Sequence, residues 1–287
     1  MNKKAALVLS GGAARGIAHI GVIEELTKQG FKITSIAGNS MGAFIGAVFV
    51  MNKIEEFKER ILALDKKDVL KFIDFSFGKQ GFIKGEKIFK ELQKFFPDTD
   101  IENLKIPYAA VAADIKNMKE VVFTEGSLYK AVRASISIPS IFKPVKTDNA
   151  VLVDGGVVNP IPVNRITRTK NDILIASYVN ANIPYSKPSI PDQHYKQKSV
   201  DFNKKFKELL SKRENKDKLN YFSLLSKSTN LLTHRLSIMN IEKYKPDLLI
   251  ETSRETAGLF DFFKAKELIE AGKKATIKAL SDNNTLS

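Results

Sequence analysis

The sequence predicts an α/β fold with buried, largely parallel strands, and three observations predict it. The apolar runs Lys4–Leu9 and Ile33–Ala37 each pass through a glycine-bearing turn into a stretch of helical character. A third run, Asp172–Asn180 (DILIASYVN), is equally apolar. Runs without polar alternation suit strands covered on both faces, as parallel strands are. At 287 residues, 43% hydrophobic and 27% charged, the chain is long enough to bury a substantial core under such a sheet.

The first strand candidate runs directly into Ser10-Gly11-Gly12-Ala13-Ala14-Arg15-Gly16, then into the helix-like IAHIGVIEELTKQG, with Gly30 placed to cap its end. Strand, glycine-rich turn and helix together form a nest of backbone N–H groups that attracts anions. A dinucleotide fingerprint would need G-x-G-x-x-G, which the alanine at position 13 breaks, and no P-loop lysine pattern is present. The other reading of the nest is an oxyanion site for acyl transfer.

The second strand candidate ends in Gly38-Asn39-Ser40-Met41-Gly42, a G-x-S-x-G pentapeptide opening a helix that continues to Met51. Strand, sharp turn and helix are the context of a nucleophile elbow. A serine pushed out at the apex brings the flanking residues together, so Gly38 and Gly42 must lack a Cβ. Ser40 then sits at a helix N-terminus, where free N–H groups favour developing negative charge. The competing reading is a plain Gly/Ser turn between core elements.

Lys53–Lys67 carries apolar residues at helical spacing and predicts one surface helix. Val69–Phe96 is rich in phenylalanine and lysine, with a helix expected at about 85–96. Phe72, Phe75, Phe77 and Phe82 either line an acyl chain, dock a membrane or pack under helices. Ile106–Asp114 and Lys119–Thr124 predict two strands about a turn, and Ala131–Val145 is too irregular for a simple element. Val151–Val163 (VLVDGGVVNPIPV) places Asp154 after an apolar run and before Gly155-Gly156, either as a base or as an Asx turn bonding its own backbone. Pro246–Ile250 predicts a last strand and Asp261–Ala279 a closing amphipathic helix.

These motifs together carry a resemblance. LVLSGGAARGIAHIGVIEEL resembles the glycine-rich opening block of the patatin-like phospholipase family, GNSMG resembles its nucleophile elbow, and the Asp154 D-G-G resembles its catalytic aspartate motif. The likeness covers roughly residues 4–180, with a weaker echo near 246–275. The resemblance implies a three-layer sandwich with a largely parallel central sheet, helices on both faces and the site at the carboxyl ends of the strands. It implies a lipid acyl hydrolase with a Ser40–Asp154 dyad, needing neither metal nor cofactor. It further implies an oxyanion hole around Gly11, Gly12 and Ala13, with Arg15 assisting, packing or binding phosphate. The family block usually has a third glycine where this chain has Ala13; backbone donors survive that change where φ is negative.

The rival chemistry is a triad using His194 or His234 in the order Ser…Asp…His. His19, on the first helix, reads as a packed or capping residue. From other classes, the same residues fit a small-ester or thioester hydrolase, or a non-catalytic lipid- or nucleotide-binding module.

Net charge is 46 − 32 = +14, and residues 191–245 hold 13 Lys+Arg against 6 Asp+Glu in a glycine-free stretch. No nucleic-acid-binding signature accompanies this, so the basic surface predicts contact with anionic lipid headgroups, and nucleic acid is not expected. Residues 1–287 read as one α/β domain, in which about 184–245 serves as a basic cap, a membrane-facing surface or a homo-oligomer contact. The absence of cysteine and of a signal-peptide pattern predicts a cytoplasmic protein, peripheral at most to the inner membrane face.

Overall fold

The computed structural model describes residues 3–72, 91, 93, 97–139, 141–185 and 221–283. The helix expected at about 85–96, the segment holding Phe75, Phe77 and Phe82, and His194 fall outside the described residues.

The strands are β1 (Lys3–Leu9), β2 (Phe31–Asn39), β3 (Tyr108–Asp114), β4 (Lys119–Phe123), β5 (Val145–Lys146), β6 (Val151–Asp154), β7 (Ile173–Ala181) and β8 (Leu248–Ser253). They form one sheet in the order β5-β6-β3-β2-β1-β7-β8, with β4 beside β3. From β3 to β8 along that order every pairing is parallel; β4, β5 and β6 join antiparallel at the other end. The helices are α1 (Ala18–Lys28), α2 (Met41–Val50), α3 (Ile54–Leu62), α4 (Lys66–Phe72), α5 (Leu128–Ser135), α6 (Tyr221–Tyr244) and α7 (Ala265–Asp282).

Side-chain alternation on the central strands sorts the chain into three layers. On β1, Ala5, Leu7 and Leu9 enter the large core shared with α1, α2 and α7, whereas Val8 faces the opposite layer. On β7, Ile175 joins the first core, while Leu174, Ala176 and Tyr178 join the second with Ile161, Val163 and, from α6, Ile238, Ile241 and Tyr244. A mixed α/β architecture with a mostly parallel central sheet was the expectation, and this is what the chain forms.

Two expectations are corrected. The surface helix of residues 53–67 is divided into α3 and α4, because Asp65 starts a new helix. Its Oδ1 accepts from the Asp68 N–H at 2.8 Å, and Asp68 Oδ2 accepts in return from the Asp65 N–H at 3.3 Å. The stretch 131–145 is not irregular throughout. Its first five residues end α5, which Ser127 caps by accepting from the Lys130 N–H at 3.1 Å.

β4 occupies one edge of β3 over Ala110–Asp114, so β2 and β6 must share the other. β2 runs along it in parallel and ends with Asn39 opposite Val111; β6 runs against it and ends with Asp154 opposite Ala112. The two strands therefore meet head-on at neighbouring residues of β3.

Candidate active site

Ser40 follows β2 and opens α2. Its backbone has φ 53° and ψ −125°, a conformation that L-residues rarely adopt and that costs about 1–3 kcal/mol. The surroundings hold it there. Its N–H donates to Ser135 Oγ at 2.9 Å, and Ser135 Oγ donates to the Val111 carbonyl at 2.6 Å. Gly38 and Gly42 lie against each other and the β1 end: a Cβ on Gly38 would be 2.5 Å from the Ala43 nitrogen, and one on Gly42 would be 2.2 Å from the Leu9 carbonyl oxygen. The elbow reading of the pentapeptide therefore describes its geometry.

Asp154 arrives from the opposite direction. Its N–H donates to the Ser137 carbonyl at 2.9 Å, and the Gly156 N–H donates to Oδ1 at 2.7 Å. The Asx turn thus exists, without consuming the whole carboxylate. Burial raises the Asp154 pKa to about 6, against the opposing pull of hydrogen bonds from the Ser40 hydroxyl, the Gly156 N–H and the Asn39 amide. Gly155 lets this turn press on β3, since a Cβ there would lie 2.5 Å from the Val111 oxygen.

The glycine-rich turn lies beside them. Gly11 is corrected as an oxyanion donor: its N–H already donates to the Pro160 carbonyl at 3.0 Å. Its role is close approach, because a Cβ would stand 2.6 Å from Asn39 Nδ2. The N–H groups of Gly12 and Ala13 carry no hydrogen bond among the described residues. Ala13 has φ 48°, so the condition of a negative φ is not met, and the alanine adopts the left-handed region a third glycine would occupy without strain. Arg15 braces the turn from behind: Nε donates to Asn180 Oδ1 at 2.8 Å, Nη1 donates to the Ala257 carbonyl at 3.0 Å, and Asn180 Nδ2 donates to the Gly11 carbonyl at 2.7 Å.

Two of the three histidines are among the described residues. His19 is fully buried between the Ser10 carbonyl and Ser177 Oγ, each at 2.9 Å, and burial lowers its pKa to about 4. It is a packed residue, as its place on α1 suggested. His234 Nδ1 is engaged with the Tyr178 hydroxyl at 2.8 Å, and neither of these two histidines is among the groups that act on Asp154.

Two cavities meet at Ser40. One, about 220 Å³, is walled by apolar side chains including Met41, Phe44, Phe57, Ile61, Ile136 and Phe260. The other, about 520 Å³, is the more polar of the two and reaches from Gly12, Asn39 and Asp154 to Arg15, Tyr178 and the α6 residues Thr233 and His234. Ala13, Ser40, Ile138 and Leu259 line both. Among the described residues no group of His, Cys, Asp or Glu is arranged to hold a metal ion.

Asn39 and Ser135 were not anticipated. Asn39 is an unspecified middle position of the pentapeptide, and its importance comes from the strand pairing that sets it against Asp154. Ser135 lies 95 residues from Ser40 in sequence, and no local pattern marks it.

A strained serine between a parallel strand and a helix, facing a buried carboxylate, is the arrangement of α/β proteins that carry a nucleophile elbow. The particular family follows from comparison. Residues 7–166 match the model of the Patatin family, described as patatin-like phospholipase, and the chain belongs to that family. An uncharacterized NTE family protein of Mycobacterium tuberculosis is 39% identical over 179 residues, covering 62% of this chain and 50% of that one. Patatin-like phospholipase domain-containing protein 7 of Rattus norvegicus is 33% identical over 177 residues, 60% of this chain and 13% of its own length. Lysophospholipase NTE1 of Candida glabrata is 29% identical over 165 residues, 55% of this chain and 9% of its own. The chain thus spans half or less of the length of these relatives. VipD from Legionella pneumophila superposes over 98% of this chain and 67% of its own at 13% identity and a TM-score of 0.49.

Proposed function

We propose that the protein hydrolyses acyl esters of phospholipids or lysophospholipids through a Ser40–Asp154 dyad. The observation that carries this reading is the position of Ser40: strained, facing Asp154, and at the junction of an apolar and a polar cavity. An acyl chain fits the apolar one, which leaves the polar one for the alcohol part of the ester. Family membership and the lysophospholipase name of one relative support the same class of substrate.

In this mechanism Asp154 accepts the Ser40 proton as Oγ attacks the acyl carbonyl. A solvated aspartate is a poor base for a hydroxyl, and the raised pKa of Asp154 reduces that mismatch. The tetrahedral oxyanion is met by the Gly12 and Ala13 N–H groups beside the N-terminus of α2. Collapse breaks the ester bond, and Asp154 returns the proton to the departing alcohol. Water then attacks the acyl-enzyme, giving its proton to Asp154, which returns it to the departing Ser40 Oγ as the fatty acid is released.

We further propose that the protein works at an anionic lipid surface as a peripheral protein. Its charge of +14 favours that contact, and no helix among the described residues is long and apolar enough to cross a membrane. On α6, Thr233 and His234 face the polar cavity, while Leu224, Leu225, Leu231, Leu232 and Met239 are exposed. At 100° per residue these five fall within about 120° of one another, with the exposed Arg235 between them.

The test is ester hydrolysis by wild type, Ser40→Ala and Asp154→Asn on a short chromogenic ester and on phospholipid vesicles. Both folded variants are expected to lose at least about 10³-fold in kcat. An inert wild type, or a Ser40→Ala variant that keeps its rate, would return the elbow to a structural role and favour a lipid-binding module.

A further inference from the structure

The polar cavity contains cationic groups that the ester chemistry does not use. Arg15 lines it, and its guanidinium Nη2 has no partner among the described residues once Nε and Nη1 are committed. Arg254 lines it as well, just past the end of β8, fixed by its backbone N–H donating to the Ala181 carbonyl at 3.0 Å. The exposed Arg254 side chain has no ion pair among the described residues. Thr233 and His234 of α6 add hydrogen-bonding groups to the same wall. Two guanidinium groups in one cavity favour a planar or tetrahedral oxyanion over an uncharged alcohol, because their forked donors match such oxygens in pairs.

The cavity also contains two carboxylates, and their places matter. Asp154 lies at the Ser40 end, where the ester bond would be cut, and Glu255 lies beside Arg254 in sequence and is exposed. The cations and Ser40 thus line one space, into which the alcohol part of the ester must leave.

We propose that this cavity is a phosphate-recognition site for the headgroup side of the substrate, with Arg254 as its specificity-determining residue. The inference rests on the ester-hydrolase reading and deepens it: the phosphate of the alcohol portion is bound through Arg254, so a neutral glyceride, which lacks it, is the poorer substrate. Arg15 presents its remaining donor while it holds the glycine-rich turn, so Arg254 is the position that separates recognition from the turn's own geometry.

The experiment compares lysophosphatidylglycerol with monoacylglycerol of the same chain, using the monoacylglycerol rate as internal reference. Wild type is expected to prefer the phosphate-bearing ester in kcat/KM. Arg254→Gln is expected to lower the preference about fivefold, mainly through KM, and Glu255→Gln to raise it. A second measurement needs no variant: glycerol 3-phosphate should inhibit wild-type hydrolysis of a short chromogenic ester competitively, while glycerol should not. Inorganic phosphate alone, run in parallel, shows whether the site takes the free anion equally well or requires the glycerol unit. Equal rates on the two lipids together with no inhibition by glycerol 3-phosphate would overturn the proposal while leaving ester hydrolysis intact. If no ester is hydrolysed at all, the hydrolase reading fails instead. The phosphate site is then judged by thermal shift with glycerol 3-phosphate: stabilisation that Arg254→Gln removes would retain it, and no shift would end it.

Discussion

Ser40 and Asp154 each sit in a local pattern with a steric reason. A protruding serine needs small flanking residues, and an aspartate at a strand end needs glycines to turn beside it. Asn39 and Ser135 could not be read, since each acts through a partner brought in by sheet pairing. The Gly11 donor was misread for a related reason: whether an N–H is free depends on Pro160, which is distant in sequence. Three predictions belong at this scale. Ser40→Gly should be inactive yet more stable than Ser40→Ala by about 1 kcal/mol in urea denaturation, because glycine relieves the strain of the positive φ. Hydrolysis should rise with pH through about 6 as Asp154 ionises, and Asn39→Ala should move that limb upward by removing a hydrogen bond to the charged form. The linkage has a definite sign. A carboxyl whose folded pKa lies above its unfolded value costs stability once ionised, progressively from about pH 4 to about pH 6. Asp154→Asn should therefore melt higher than wild type at pH 7.5, by on the order of 3 kcal/mol at most, with the gain vanishing near pH 4.

Among the elements, strands were more legible than helices. An unbroken apolar run such as DILIASYVN leaves few alternatives, and β7 covers it almost residue for residue. The missed helix boundaries lie at caps: Asp65 and Ser127 interrupt or begin helices through side-chain bonds that apolar spacing does not reveal. Helix α6 shows a further limit. Its apolar residues recur at helical spacing, yet many of them point away from the protein, with Leu231 61% and Leu232 65% exposed. If that face meets lipid, Leu231→Ser with Leu232→Ser should weaken binding to anionic vesicles about tenfold or more in a sedimentation assay. Turnover of a soluble ester should stay within about twofold, because both side chains lie opposite the cavity wall.

For the whole molecule, the buried, largely parallel strands followed from their unbroken apolar runs, and the three-layer arrangement from the family resemblance, whereas the sheet order did not follow from any one segment. The charge of +14 acts at this scale too. Vesicle association should fall steeply between about 0.05 and 0.5 M salt, as attraction over a Debye length of about 10 Å at 0.1 M is screened, while hydrolysis of a small neutral ester changes little. The head-on meeting of β2 and β6 on one edge of β3 has a consequence for how this protein can diversify. The separation of Ser40 and Asp154 is set by registration against Val111 and Ala112, not by the length of chain between β3 and β6. Asp114 pins the far end of that registration, accepting from the Val151 N–H at 3.1 Å. Of the connections from β4 to β6, the turn before α5 is thus free to accept grafted sequence, whereas α5 and the turn after it must keep Ser135 on the Ser40 N–H and Ser137 on the Asp154 N–H. A Gly-Ser insertion of several residues beside Gly126 should preserve the pairing of nucleophile and base, which makes that loop a place where new recognition modules can be added without retuning the chemistry.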